Sequence, residues 1–408
     1  MKPSLPVLAP IVRFALLVCF ASPLAGASDP YPVFGDRRIK FPDIPGYHTI
    51  KGDFHIHTVF SDGKVWPNMR VEEALREDLG AIAITDHLEW NPHRTDVPFP
   101  DQNRSFDIAS QGAAERGLIV LRAAEITRLM PPEKDEPGHI NAIFLEDANL
   151  LKKDDVVEVL REAARQKAFV TWNHPGWARQ TPDGIGRVTP LHKALLDEGL
   201  IQGIEVANGD EYYDEAVQIA LDYNLTMVGA SDIHAPIDWW YPGVDRKHRP
   251  VTFVFAREKT PASLKEAMLD RRTVVWWKNT LIGREQWLVP LLNASITVKS
   301  LGFEWETAHF AYLPKTSILN LELHNSTDAE FIVRNASDYR FHNQSDTFVI
   351  PAHGSIPVQV KLRERLSDAV LRFEVMNAVV APGKHAFVEF KVSSKPTAAD
   401  SVPKAREP

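Results

Sequence analysis

The sequence predicts an α/β domain, either a barrel or a doubly wound sheet, followed by a small all-β sandwich. Two observations carry this reading. Between about residue 50 and residue 278, short apolar runs alternate with segments of helical spacing, as βαβ units do. After about residue 290 the helical spacing nearly vanishes, and apolar residues alternate singly with polar ones, as in strands with one wet face. A chain of 408 residues accommodates one barrel-sized unit and one smaller one.

From the N-terminus, residues 1–27 read as a secretory signal. Lys2 and Arg13 supply positive charge, Phe14 to Phe20 is an apolar run too short to span a bilayer, and Ala25-Gly26-Ala27 is a small-residue cleavage site. The expected location is outside the cytoplasm, secreted into the periplasm, with no stable membrane insertion. Cleavage would remove the only cysteine, Cys19, and with it disulfides, thiolate ligands and a cysteine nucleophile. It would also take the net charge from −8 to −10. An acidic chain without a Lys/Arg run is not expected to bind nucleic acid, and an anionic substrate would need a local source of positive charge. The apolar fraction of 44% and charged fraction of 25% are those of a globular protein.

The barrel-like region is placed at residues 45–285. Its strand candidates are Ala81 to Ile84, Leu118 to Leu121, His139 to Leu145, Phe169 to Trp172, Gly203 to Val206, Thr226 to Gly229 and Val251 to Phe255. Continuous apolar runs of this length fit buried parallel strands. Helical spacing joins Val71, Ala74, Leu75 and Leu79, then Val156, Val157, Leu160, Ala163 and Ala164, then Ala216, Ile219, Ala220 and Tyr223. Thr280 to Asn293 is expected to join the halves and pack on both. The sandwich is placed at residues 290–393, where Leu319, Leu321 and Leu323, then Val358, Val360 and Leu362, then Phe387, Val388 and Phe390 with a slip, alternate with polar residues. The tail 394–408, rich in Pro, Ser and Lys, is expected to be disordered.

The residues that suggest chemistry are polar ones at the ends of the predicted strands. A single His-x-His means little, since 15 histidines in 408 residues produce about half a match by chance. Placement says more. Thr49 to Phe54 runs into His55 and His57, with Asp62 following; Ala81 to Thr85 ends in Asp86-His87; Leu118 to Ala124 ends in Glu125. His139 opens its run, Phe169 to Asn173 ends in His174, and Thr226 to Ser231 ends in Asp232-Ile233-His234. In a barrel these ends share one rim, where active sites are built. Residues i and i+2 on a strand point the same way, so His55 with His57, and Asp232 with His234, can reach one ion. Six histidines and three carboxylates exceed the needs of one ion, and two or three divalent ions sharing a bridging carboxylate would use them. Without sulfur the set suits Zn, Mn or Fe, and such ions would supply the positive charge a phosphate needs. Asp86 reads either as a further ligand or, the preferred reading, as the acceptor that fixes His87.

The segments Asp53-Phe54-His55-Ile56-His57-Thr58, Ser61-Asp62-Gly63, Ala83-Ile84-Thr85-Asp86-His87, Glu125, His139, Asn173-His174-Pro175 and Ser231-Asp232-Ile233-His234 together resemble the PHP (polymerase and histidinol phosphatase) superfamily over about residues 50–278. The resemblance implies a distorted (β/α)7 barrel and up to three metals. It assigns His55, His57, Glu125 and Asp232 to a first metal, with Glu125 bridging to a second held by His139 and His174, and Asp62, His87 and His234 to a third. Asp62 stands where some members place histidine. A leader, this barrel and a β domain are further similar to the secreted bacterial Sb-PDE phosphodiesterases.

The expected activity is hydrolysis of a small or organic phosphate diester by a metal-bound hydroxide, with Asp232 and Glu125 catalytic and Arg128 and Asn173 as substrate contacts. Trp177 and Trp239-Trp240 follow ligand-bearing loops and can wall the pocket, although core or surface packing is the preferred reading for each. Three alternatives stay open: a phosphomonoesterase, another metallohydrolase on the same barrel cutting an amide or a glycan-linked ester, and a binding protein led by the β domain with structural metals. The β region shows no ligand-type cluster, so the sandwich is expected to brace the barrel.

Overall fold

The computed structural model describes residues 37–98, 101–129, 136–242, 247–305, 317–362 and 368–393. The signal-like segment 1–27 and the tail 394–408 lie outside the described residues. Among the described residues no helix is long and apolar enough to cross a membrane.

The first half contains β1 (His48–Ile56), α1 (Pro67–Arg76), β2 (Ala81–Ile84), α2 (Arg104–Ser110), β3 (Ile119–Thr127), β4 (His139–Ile143), α3 (Val156–Arg165), β5 (Phe169–Trp172), α4 (Pro190–Asp197), β6 (Gly203–Asn208), β7 (Glu211–Tyr212), α5 (Asp214–Asp222), β8 (Thr226–Ala230), α6 (Ile237–Trp240), β9 (Val251–Ala256), α7 (Pro261–Leu269), β10 (Thr273–Trp277) and β11 (Thr280–Gly283). α8 (Glu285–Ser295) leads into β12 (Ile296–Trp305), β13 (Ser317–Asn325), β14 (Phe331–Asn335), β15 (Arg340–Phe341), β16 (Thr347–Ile350), β17 (Ser355–Leu362), β18 (Asp368–Ala381) and β19 (Lys384–Ser393).

Seven strands form a ring in the order β1-β2-β3-β4-β5-β6-β8. The ring closes at the ends of β1 and β8, where the Asp232 N–H donates to the His55 carbonyl (2.9 Å) and the His57 N–H to the Ile233 carbonyl (3.1 Å). On the edge away from β2, β1 serves two partners. Its start, His48 to Gly52, pairs antiparallel with β9, and only its end meets the β8 rim. That split is the distortion of the barrel.

The residues of β2, β4, β5 and β9 are all buried, which is why these strands read as continuous apolar runs. Two runs expected to be parallel are not. β4 runs antiparallel to β3 and β5, and β9 runs antiparallel to β1 and β10. Two-sided burial shows in the sequence, but strand direction is set by the connection. No helix lies between β3 and β4 among the described residues, so the chain returns beside itself instead of crossing over. The helices bury one face each. In α3 this is Val156, Val159, Leu160 and Ala163, with Asp155 capping the start by accepting from the Glu158 N–H.

The second half is a sandwich of two antiparallel layers, β12-β13-β17-β15 and β16-β14-β18-β19. The predicted alternation is paired in register, Leu319 with Val360 and Leu321 with Val358. In β19 the slip falls at Phe387, which is part-exposed beneath the Arg372 guanidinium, while Ala386 and Val388 are buried. The halves are not beads on a string. β11 pairs parallel with β18, Leu281 opposite Ala378 and Ile282 opposite Val379, so one layer of the sandwich continues the barrel sheet. Leu288, Leu291 and Leu292 of α8 are buried in the same apolar core as Leu319 and Phe373.

Asn377 locks this seam. Its amide donates to the carbonyls of Asn279 (2.6 Å) and Glu330 (2.7 Å), and its oxygen accepts from the Ile332 N–H (3.0 Å). Replacing it with alanine leaves buried partners unmet, which costs about 1–3 kcal/mol. Asn377→Ala is therefore expected to lower the melting temperature of the whole chain in one transition, read by calorimetry; an early separate melt of the β half would show that the seam is not shared.

Candidate metal centre

β1 sets the first donors. His55 and His57 project into the ring together, with their Nε2 atoms 3.1 Å apart. Asp232, at the facing β8 rim, brings Oδ1 to 2.9 Å from His57 Nε2 and 3.2 Å from His55 Nε2. Glu125, at the end of β3 and fully buried, stands at the middle. Its oxygens lie 3.3 Å from His55 Nε2, 3.5 Å from His57 Nε2, 2.7 Å from His87 Nδ1, 3.1 Å from His139 Nδ1 and 3.6 Å from His174 Nε2. Because β4 is reversed, its first residue, His139, stands on the same rim as the last residues of the other strands. Asp62 completes the outer side, 3.1 Å from His234 Nε2 and 3.5 Å from His87 Nε2.

The turn that carries Asp62 needs glycine at position 63. A Cβ there would sit 2.7 Å from the backbone of His57 and Thr58. Two donors sit on left-handed backbone, His174 at φ 28° and Asp232 at φ 51°, a conformation costly for residues with side chains. Each is clamped. The His174 N–H donates to Glu205 (2.7 Å). Asp53 accepts from the Ser231 N–H (3.1 Å) and hydroxyl (2.6 Å) beside Asp232, and is itself gripped by the buried Arg249 (3.0 Å). The fully buried Arg70 gathers the carbonyls of His57, Ile233, His234 and Ala235.

All nine ligand-type residues named from the sequence converge. They fall into four overlapping sets whose donor atoms lie within 4.8 Å of one another: His57, Asp62, His87 and His234; His55, His57 and Asp232; His55, Glu125 and His174; and His87, Glu125 and His139. Among the described residues, Asp62 Oδ1, Glu125 Oε2 and Asp232 Oδ1 are buried and accept no hydrogen bond, although imidazole nitrogens surround them. Buried carboxylate oxygens without donors are costly, and oxygens and ring nitrogens aimed at shared points are what hard or borderline cations require. The donor set fits divalent metal.

The electrostatics agree. Burial resists ionisation of Glu125 and Asp232, but the surrounding imidazoles hold both well below the usual carboxylate range, as they do Asp62. Burial and the neighbouring His234 and His87 push His57 down to about 4, so its ring is neutral and offers a lone pair. His87 goes the other way. Burial alone would lower it, yet Glu125 and Asp62 lift it to about 10. His55, desolvated but facing Asp232, Glu125 and Glu205, also lies well above its ordinary value.

Some assignments from the sequence need correction. Asp86 does not touch the His87 ring. Its carboxylate accepts from the Thr58 N–H, the Thr58 hydroxyl and the Ser61 hydroxyl, each at 2.7 Å, and so orders the turn leading to Asp62. The His87 Nδ1 instead faces Thr127 Oγ1 (2.6 Å) and Glu125. Arg128 turns away from the centre, donating to the Lys153 carbonyl (2.9 Å) and facing Glu89 (3.3 Å). Asn173 is fully buried and donates to Glu125 (2.9 Å), so it positions that carboxylate. The cation lining the cavity is Arg179, with its guanidinium 5.5 Å from the Trp177 ring centre. Trp177 and Trp240 line this cavity of about 380 Å³; Trp239 is exposed, near Lys64.

Glu205 was missed by the sequence reading. Its oxygens meet His55 Nδ1 (2.8 Å), the His174 N–H (2.7 Å) and the Asn208 amide (2.9 Å). Pairing with Nδ1–H leaves the His55 Nε2 lone pair facing the cluster. The available signal was one acid inside the apolar run Gly203 to Val206.

A ring that gathers a donor set fit for divalent metal at its strand-end rim is the arrangement of a metal-dependent hydrolase barrel. A crystal structure from Bacteroides vulgatus, described as a two-domain protein containing a predicted PHP-like metal-dependent phosphoesterase, is 40% identical to this chain. It matches with a TM-score of 0.77 over 87% of this chain and 98% of that one. The chain belongs to this family of two-domain PHP-like metal-dependent phosphoesterases. Residues 304–391 match DUF5001, an Ig-like domain family. An uncharacterised protein of Methanocaldococcus jannaschii is 24% identical over 197 residues, which span 46% of this chain and 82% of that protein.

Two outcomes follow. Glu205→Gln can accept through one end only, whereas all three partners present hydrogen; metal affinity should fall by about 10–100-fold in a chelator-competition titration, and unchanged affinity would remove Glu205 from the support of the site. Because His87 keeps its proton up to about 10 without metal, metal uptake near neutral pH must expel at least one proton, and affinity should rise as pH climbs towards that value. Calorimetry in buffers of different ionisation enthalpy reads this directly.

Proposed function

We propose that this protein is an exported phosphodiesterase that hydrolyses small organic phosphate diesters, using two or three divalent ions of Zn, Mn or Fe held by the nine-residue cluster. The observation that carries the reading is the set of unmet carboxylate oxygens, Asp62 Oδ1, Glu125 Oε2 and Asp232 Oδ1, among imidazole nitrogens beside an open cavity. The signal-like segment Lys2 to Ala27 supports export.

Divalent ions bound here would supply Lewis acidity towards phosphate oxygens and acidify a coordinated water. The chain's own residues do the rest. Glu125 belongs to two of the ligand sets and is the residue placed to bridge. Asp232 lines the cavity, and its Oδ1 faces His55, His57 and His234 as a further oxygen for the ions. Asn173 and Glu205 hold Glu125, His55 and His174 in place. Arg179 is the lining cation that can grip a phosphate oxygen. Asp210 and Glu211 line the same cavity. Outside the metal cluster the lining carries one arginine against two carboxylates, and that excess of negative charge favours a monoanionic diester over a dianionic monoester.

Metal content should be measured together with turnover of a diester, its monoester and an amide. The expected result is divalent metal with diester turnover well above the other two. His57→Ala and Glu125→Ala should each lose metal and slow diester hydrolysis by about 1000-fold, the scale of several kcal/mol of lost charge stabilisation. Amide cleavage without phosphate chemistry, or normal diester turnover by variants stripped of metal, would overturn the reading.

A further inference from the structure

The cavity at the metal centre has a neighbour. Two of its lining residues, Asp210 and Trp240, also line a larger cavity of about 650 Å³. The larger cavity runs along the seam between the two halves. Tyr241, Lys278 and Asn279 of the barrel half line one side, and Asp328 and Glu330 of the sandwich line the other.

We propose that this seam cavity is a subsite for the non-reacting arm of the diester, and that the arm it takes is a hydroxylated ring, a sugar. The inference rests on the phosphodiesterase reading and gives it a substrate class.

Three observations choose the occupant. Trp240 is 59% exposed and lines both cavities, so a ring leaving the metal centre passes an indole on which it can stack. The wall beyond is mixed in charge. Lys247 and Lys278 stand among Asp210, Asp328 and Glu330, so neither a second anion nor a cationic head group gains a uniform field, whereas hydroxyls, which both donate and accept, can use both signs. The wall is also held in place. Lys278 Nζ donates to the Asp210 carbonyl (3.2 Å) and lies 4.4 Å from the Trp277 ring centre, Asn279 Oδ1 accepts from the Glu330 N–H (2.9 Å), and His248 stacks on Trp276 at 3.3 Å. A pre-ordered polar wall beside an aromatic platform recognises a ring at a small entropic cost. The β half thereby acquires a second role, as one wall of a specificity site.

The test keeps the leaving group fixed and varies the arm. The substrates are methyl p-nitrophenyl phosphate, hexyl p-nitrophenyl phosphate, and the diester of p-nitrophenyl phosphate with the 6-hydroxyl of glucose, each given to the metal-loaded full chain. The sugar diester should exceed the methyl diester in kcat/KM by about 10-fold or more, since binding energy from a remote arm is available to the reaction. Lys278→Ala and Glu330→Gln, which lie outside the metal cluster, should erase most of that gain and leave methyl diester turnover and the melting temperature unchanged. A sugar diester no better than the methyl one, a hexyl diester that matches it, or a gain that survives both substitutions overturns the sugar subsite while leaving the phosphodiesterase reading in place. Failure of all three diesters overturns both.

Discussion

The whole site depends on how the ring closes. β1 cannot pair with β8 along its length because its first half is taken by β9, so the last joint is made by two backbone hydrogen bonds at the rim, between His55 and Asp232 and between His57 and Ile233. The same four residues carry or flank the innermost donors. Closing the barrel and assembling the metal cluster are therefore one event, and the buried charges around it serve both. Arg70 ties the rim carbonyls together from beneath, while Asp53 and Arg249 secure Ser231 next to the left-handed Asp232. Each of these charges is itself paired, as a low-dielectric interior demands. The cluster they hold has unmet oxygens at its centre, which is the expected cost of keeping a cation site ready.

Much of this was legible in the sequence, and the reason is positional. His55, His57, His87, Glu125, His174, Asp232 and His234 stand where apolar runs stop, and a barrel gathers such points on one rim. His139 stands where a run starts, and it reaches the same rim because β4 is reversed. The sandwich was legible because its alternation has one wet face, so Leu319, Leu321 and Leu323 show their inward direction in the sequence.

What was hidden depends on pairing rather than pattern. Nothing in an all-buried strand states its direction, so β4 and β9 could not be oriented from composition. Asp86 and His87 are adjacent in sequence, but successive side chains diverge, and the carboxylate serves Thr58 and Ser61 across the β1–β2 pair. Glu205 looked like an interruption of an apolar run, and its meaning appears only when β6 lies beside His55. Arg128 and Arg179 cannot be told apart by distance along the chain; one is tied to Glu89 and the other opens onto the cavity. Family resemblance pointed to the residues that converge at the rim and said little about these supports, which differ in kind from motif residues.

The parallel pairing of β11 with β18 has a consequence for how such a protein can change over time. A domain joined by a linker can be lost, copied or exchanged with little effect on its neighbour. Here the catalytic half ends in a strand whose outer hydrogen-bonding groups are satisfied by the partner half. A barrel severed at this point would present an open sheet edge, a template for pairing with other chains. In this chain the second half is therefore also the cover of a sheet edge, and its loss would have to be offset by some other closure of β11.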